Sequence, residues 1–196
     1  MRTLNHVRRA LRDHRARQVD EPAAIPAAVA VLLREGPEGL ETLFIRRADR
    51  TGDPWSGQVA FPGGRRHSED AELLDTAIRE SREEIGVDLA GGERLGVLDD
   101  VYPRTPLLPP VFVRPFVFGL SGPGRPALSL SDEAQAAFWL PLGELAEPGV
   151  LRDVAIAVRG VERLFPAYVL GGEVIWGMTE RILTPLIELV ARSDSI

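Results

Sequence analysis

Three carboxylates, Glu80, Glu83 and Glu84, stand at i, i+3 and i+4 of a stretch patterned as a helix, so they share one helical face. Carboxylates gathered this way repel one another unless a cation neutralises them. Hard oxygen donors suit Mg²⁺ or Mn²⁺ better than a soft metal. Arg79 precedes Glu83 by four residues and can pair with it, fixing its orientation. A solvated helix face would account for the three glutamates alone, but not for the sequence FPGGRRH just upstream. There Gly63 and Gly64 permit a tight turn and close approach of backbone to a ligand, leaving a Gly63 or Gly64 carbonyl available to a metal. Arg65 and Arg66 follow as cations suited to phosphate oxygens.

The elements that must position these groups follow from hydrophobic periodicity. Leu74, Ile78, Ser81 and Ile85 form a mostly apolar stripe over a helix expected at 69–85, with Gly86 as its stop. The carboxylate face is expected to oppose that stripe and point into a cleft. Glu69, Asp70 and Glu72 are expected in the first turn, where the helix dipole favours acids. Residues 25–34 are a continuous apolar run and 41–48 a second strand, joined by a turn at 35–40. Residues 49–57 read as loop before a short strand, QVAF. Further strands are expected at 94–101, 111–120 and 136–140, with loop at 121–132 and a helical turn at 141–146. A hairpin is expected at 166–176 around Gly171 and Gly172, and a last helix at 178–192, which Pro185 should kink or start. Leu4, Val7 and Leu11 lie on one side of a short amphipathic helix. These elements predict an α/β (α+β) fold with a mixed β-sheet between helices, residues 21–196 forming the domain and 1–20 an N-terminal helical extension.

Composition narrows the chemistry. The chain has 196 residues, 44% hydrophobic and 27% charged, ordinary for one globular domain. It has no Cys, so disulfides, thiolate metal sites and a Cys nucleophile are excluded. All 23 basic side chains are Arg, which excludes a catalytic or P-loop lysine. The net charge of −6 argues against a general nucleic-acid binder. No apolar run is long enough to span a membrane, and the opening residues carry no secretory pattern, so a cytoplasmic location is expected.

The stretch GGRRHSEDAELLDTAIRESREEIGV resembles the Nudix box, G-x5-E-x7-R-E-U-x-E-E-x-G-U with U apolar. Arg79-Glu80, Glu83-Glu84 and Gly86-Val87 match in register. Ser81 replaces the usual aliphatic residue. The spacing from Gly64 to Arg79 is one residue longer, so Asp70 takes the place of the early Glu. That spacing, with Thr76-Ala77-Ile78-Arg79-Glu80, resembles the coenzyme A pyrophosphatase branch. So do Leu43–Ala48 followed by Gly57–Gly64, and Trp176-Gly177-Met178-Thr179. The branch's Leu-Arg after the R-S pair is replaced by Thr51-Gly52, leaving Arg47, Arg50, Arg65 or Arg66 to hold phosphates.

The resemblance implies a Nudix-like α/β/α sandwich, a homodimer, and Mg²⁺- or Mn²⁺-dependent hydrolysis of a pyrophosphate bond. Glu80, Glu83, Glu84 and the Gly63 carbonyl would hold the metal. Arg79 would orient the carboxylates, and Arg47, Arg65 and Arg66 would bind substrate. Glu133, six positions before Trp139, fits a further ligand or water-activating base. The implied substrate is a small nucleotide, coenzyme A or acyl-coenzyme A, giving 3′,5′-ADP and 4′-phosphopantetheine. ADP-ribose, another nucleoside diphosphate derivative or a nucleoside triphosphate is the alternative; a catalytically silent nucleotide-binding module is the reading of another class. His67 reads as a solvated loop residue, and Trp139 and Trp176 as core.

Overall fold

The apolar run at 25–34 has no polar side to turn to water, so it must lie in the middle of a layered structure. In the computed structural model, which describes residues 3–53, 55–103, 109–122 and 124–192, it does. Strand β1 (Ile25–Gly36) sits at the centre of a seven-stranded sheet. Side chains alternate along a strand, and both faces of β1 are buried. Ala27, Val31 and Leu33 point into one core; Ala28, Ala30 and Leu32 point into the other.

Strand β2 (Gly39–Arg47) returns antiparallel to β1. The hairpin turn is tighter than the 35–40 segment expected, because β1 continues to Gly36 and β2 starts at Gly39. Short strands β3 (Val59–Ala60) and β4 (Gly63–Arg65) pair with β2 and β1. Helix α2 (Leu73–Ile85) then crosses the sheet; α1 (Leu4–Asp13) precedes β1. Strands β5 (Glu93–Val97), β6 (Val111–Gly119) and β7 (Ala134–Pro141) complete the sheet, and β7 leads into the turn of helix α3 (Leu142–Leu145). β6 runs parallel to β1 and the other pairs are antiparallel, so the sheet is mixed as expected. β5 ends at Val97, and Val101 makes only an isolated bridge to Val113.

Helix α4 (Met178–Arg192) continues unbroken through Pro185, which therefore does not start it. α1 and α4 pack on the face opposite α2, with Val7, Leu11, Leu183 and Leu186 in the first core. Ala77 and Ile85 of α2 fill the second. The sheet is therefore sandwiched between helices.

The expected hairpin at 166–176 is part of something larger. Strands β8 (Leu151–Val158), β9 (Val161–Leu170) and β10 (Glu173–Trp176) form a separate three-stranded antiparallel sheet. Gly171 and Gly172 do make the β9–β10 turn, both at positive φ, as a two-residue hairpin of matching twist requires. β8 was not expected. Its turn uses Arg159 and Gly160, again both at positive φ, and Arg does not advertise that geometry as Asn or Asp would.

Candidate functional site

Helix α2 starts at Leu73, four residues later than expected, and its Glu72 amide is capped by Asp75. The segment 69–72 is left as a loop because Asp70 turns back along the helix. The Asp70 carboxylate accepts from Arg79 Nε at 3.1 Å and Nη2 at 3.0 Å. It also accepts from the His67 amide and Thr76 Oγ1, both at 2.9 Å. These donors, the Arg79 guanidinium above all, hold its pKa well below the carboxylate range. Arg79 in turn reaches Glu80 Oε1 at 2.8 Å and Glu83 Oε2 at 3.0 Å. One arginine, clamped by one buried aspartate, thus orients two of the three glutamates.

The three glutamates do not point the same way. Glu83 is outward, its side chain 57% exposed. Glu80 and Glu84, four residues apart, lie on the buried face beside Ala77, Ser81 and Ile85. This corrects the expectation that the carboxylate face opposes the apolar one. Two carboxylates can fit beneath a helix here because the strand they meet presents two glycines, Gly63 and Gly64. A Cβ on Gly64 would stand 2.4 Å from Glu80 Oε1. Gly63 donates its amide to Glu84 Oε2 at 2.8 Å. The other oxygen, Oε1, is buried without a hydrogen-bond partner, 3.9 Å from Arg47 Nη1.

Burial raises the Glu80 pKa against the opposing pull of Arg79. Burial likewise pushes Glu84 up to about 8, with Glu80 and Glu133 adding like charge. Among the described residues, no three His, Cys, Asp or Glu side chains converge as a ready-made cation site. What the residues present is a pair of desolvated carboxylates short of positive charge.

These groups border a cavity of about 530 Å³. Glu80, Gly63, Gly64 and Arg65 form one wall; Arg47, Arg50 and Glu133 form another. Glu133 pairs with Arg50 at 3.3 Å, and Arg47 with Asp53 at 2.9 Å. The first turn of α4 closes the far side with Met178, Thr179 and Ile182. Thr179 is anchored there by donating to the Val59 carbonyl at 2.9 Å.

The model of the NUDIX domain matches residues 24–158, over two-thirds of the chain and all the elements just described except α1, β9, β10 and α4. The chain belongs to the Nudix family. An uncharacterized protein of Schizosaccharomyces pombe is 34% identical over 133 residues, 65% of this chain and 40% of its own length. The uncharacterized Nudix hydrolase NudL of Salmonella paratyphi B is 34% identical over 131 residues, 67% of this chain and 66% of its own length. The matched region therefore spans less than two-thirds of these relatives. In fold, the chain is similar to a MutT/nudix family protein from Enterococcus faecalis, with a TM-score of 0.60 at 22% identity over 89% of this chain and 64% of that one.

Within this Nudix domain, the fold gathers Gly63, Arg65, Glu80, Arg47 and Glu133 around one cavity. Glu84 joins them from beneath through the Gly63 amide. Arg66 is not brought there. Its guanidinium is committed to the Asp70 and Ala71 carbonyls, closing the loop ahead of the Nudix helix. The reason is the turn that carries Asp70 back to Arg79, which leaves those carbonyls without helical partners. Arg104, a further arginine of interest, lies outside the described residues. His67 is exposed and contributes only its backbone, donating its amide to the Asp70 carboxylate and accepting from the Asp70 amide. Trp139 is core, whereas Trp176 lies at the edge of a second cleft. Sequence reasoning missed the clamp of Asp70 on Arg79 and the pairing of Arg50 with Glu133. The first was signalled only by the displaced position of Asp70 in the box.

Proposed function

We propose that this protein is a divalent-cation-dependent pyrophosphohydrolase acting on nucleoside diphosphate derivatives, with coenzyme A or its acyl forms as substrate. The observation that carries the reading is the pair Glu80 and Glu84, buried at the rim of an arginine-lined cavity with one Glu84 oxygen lacking a hydrogen-bond partner. A hard cation fits that donor set: Mg²⁺ or Mn²⁺ would be held by Glu80, Glu84 and the Gly63 carbonyl, with Glu83 and Glu133 in reach of its hydration shell. When bound, such an ion supplies positive charge to the diphosphate and lowers the pKa of a water.

The chain's own residues supply the rest. Asp70 and Arg79 keep the Glu80 carboxylate in one rotamer, so little reorganisation is needed on reaction. Arg47 and Arg65 face the cavity as donors for non-bridging phosphate oxygens. Glu133 sits across the cavity from Glu80 and takes the proton of the attacking water. Water adds across the P–O–P linkage, the bridging oxygen leaves with one phosphoryl group, and two phosphate monoesters result. From coenzyme A these are 3′,5′-ADP and 4′-phosphopantetheine. The substrate assignment rests on the spacing of the Nudix box and on the WGMT segment at the start of α4. A homodimer in the cytoplasm completes the reading.

The test is product chromatography after incubation with Mg²⁺ or Mn²⁺ and a panel of coenzyme A, ADP-ribose, dinucleoside polyphosphates and nucleoside triphosphates. The expected result is 3′,5′-ADP from coenzyme A ahead of turnover on the others. Preferential cleavage of another compound keeps the chemistry and moves the substrate. Nucleotide binding without turnover on either metal overturns the enzyme in favour of a silent binding module.

A further inference from the structure

A second cleft, of about 1000 Å³, adjoins the first. The two share the loop residues Gly52, Asp53, Trp55 and Gln58, together with Met178. Neighbouring residues of one strand point to opposite sides, and β2 uses this to serve both: Arg47 lines the first cavity and Arg46 the second. The first turn of α4 does the same. Ile182 faces the first, Arg181 the second, and Met178 lies between.

The far wall is the small sheet. In the β9–β10 register Trp176 lies opposite Ala167. Arg163, Phe165 and Ala167 alternate with residues on the other face, so Arg163, Phe165 and Trp176 share one surface. Phe165 and Trp176 contact each other with ring centroids 5.2 Å apart. Arg46 is paired with Glu173 at 2.6 Å. Arg163 and Arg181 are exposed, and neither makes an ion pair among the described residues. The cleft thus couples aromatic faces to two cations without acidic partners, one short step from the cavity that would hold a diphosphate.

We infer that this cleft receives the nucleoside end of the substrate, the base against Trp55, Phe165 and Trp176, and that Arg163 and Arg181 bind a phosphate carried on its ribose. This rests on the pyrophosphohydrolase reading and sharpens its substrate class. Aromatic faces stack on any base, whereas two exposed arginines beside them suit an anion lying outside the scissile linkage. A nucleoside diphosphate derivative without such a phosphate would leave both in water.

The experiment is direct binding, without metal or turnover. Affinities for 3′,5′-ADP and 5′-AMP are measured by titration calorimetry, on the wild type and on the double variant Arg163→Ala, Arg181→Ala. Both side chains are exposed, so the fold is expected to survive; a denaturation curve checks it. The chain has three Trp, and Trp139 is buried in the core, so quenching of the other two gives a second readout. The wild type should prefer 3′,5′-ADP by about tenfold or more, the range of a charge-assisted contact. The variant should lose that preference and keep its affinity for 5′-AMP. No preference in the wild type, or an equal loss for both ligands in the variant, overturns the inference even where hydrolysis of other nucleotides is intact. A preference that depends on the two arginines sustains it even where no substrate is hydrolysed, in which case the enzyme reading falls instead.

Discussion

Replacing Glu84 by Gln should make the metal-free protein more stable while abolishing hydrolysis. The Glu84 side chain is 2% exposed, with one oxygen on the Gly63 amide and the other without a partner. Its pKa rises from 4.5 to about 8 on folding. Between those values the folded state keeps a proton that the unfolded state has released, so stability falls as pH rises through the window and levels off above it. At 1.36 kcal/mol per pKa unit, the charge costs about 3 kcal/mol at pH 7 and about 5 kcal/mol above pH 8. Gln keeps the acceptor for the Gly63 amide and carries no charge, against about 1 kcal/mol for an amide N–H left poorly bonded. Urea denaturation in EDTA at pH 5, 7 and 9 reads the difference. The variant should match the wild type near pH 5 and exceed it by roughly 2–4 kcal/mol at pH 9. Added Mg²⁺ should stabilise the wild type and not the variant. Equal pH dependence for the two proteins would refute the argument, because it would mean that Glu84 is not held desolvated in the fold.

Four further changes separate fold from chemistry. A Cβ at Gly63 would meet the Ala28 carbonyl oxygen at 2.3 Å and Val29 Cα at 2.6 Å, both backbone, whereas the nearest atoms to one at Gly64 are those of the Glu80 carboxylate. Gly63→Ala should therefore cost about 2–3 kcal/mol in denaturation. Gly64→Ala should stay within about 1 kcal/mol yet lower kcat roughly 10²-fold by displacing Glu80; the reverse ranking would discredit this account of the loop. Asp70→Asn should cost about 3 kcal/mol, since it leaves the Arg79 guanidinium without its bidentate partner. Because the Asp70 pKa is lowered on folding, its stabilisation is complete above its ordinary value of 3.8 and lost as pH falls below it. Acid titration by circular dichroism should show a shallower low-pH loss in the variant. Far from the cavity, buried Arg34 pairs with buried Glu41 at 2.9 Å. Glu41→Gln should cost about 3–5 kcal/mol with kcat unchanged, and a fall in kcat at full stability would link that pair to the site.

The central strand, the Nudix helix and the last helix were legible because each carries a strong hydrophobic pattern, a continuous run or a helical stripe, over many residues. β1 has no polar position inside its apolar run, and α4 keeps its stripe through Pro185. The β8–β9 ribbon was not legible. Its residues are mostly exposed on both faces, so no buried face imposes an alternating pattern, and its turn rests on an arginine at positive φ. Residue types pointed to Gly63, Arg65, Glu80, Arg47 and Glu133, which the fold brings to one cavity, and to Arg66, which it does not; the orientation of the carboxylates was not readable. Periodicity assigns charge to the wet side of a helix, and α2 inverts that rule at Glu80 and Glu84.

The inversion follows from partners anchored by the strand and loop ahead of α2. A buried carboxylate is tolerated only with donors or positive charge around it. For Glu80 the donor is Arg79, itself immobilised by Asp70; for Glu84 it is the amide of Gly63 on a neighbouring strand. Helical spacing reports none of these contacts. The one residue that did carry the signal was Asp70, standing a position away from the usual acid of the box. An acid displaced along a helix would face another way, but an acid displaced into the preceding loop can turn back. Here the extra residue lets the loop fold over α2, and the guanidinium that orients the site is gripped from outside the helix. The longer spacing is therefore expected to tolerate a further loop insertion poorly: one more residue between His67 and Asp70 should weaken the clamp, and both acid stability and turnover should fall together.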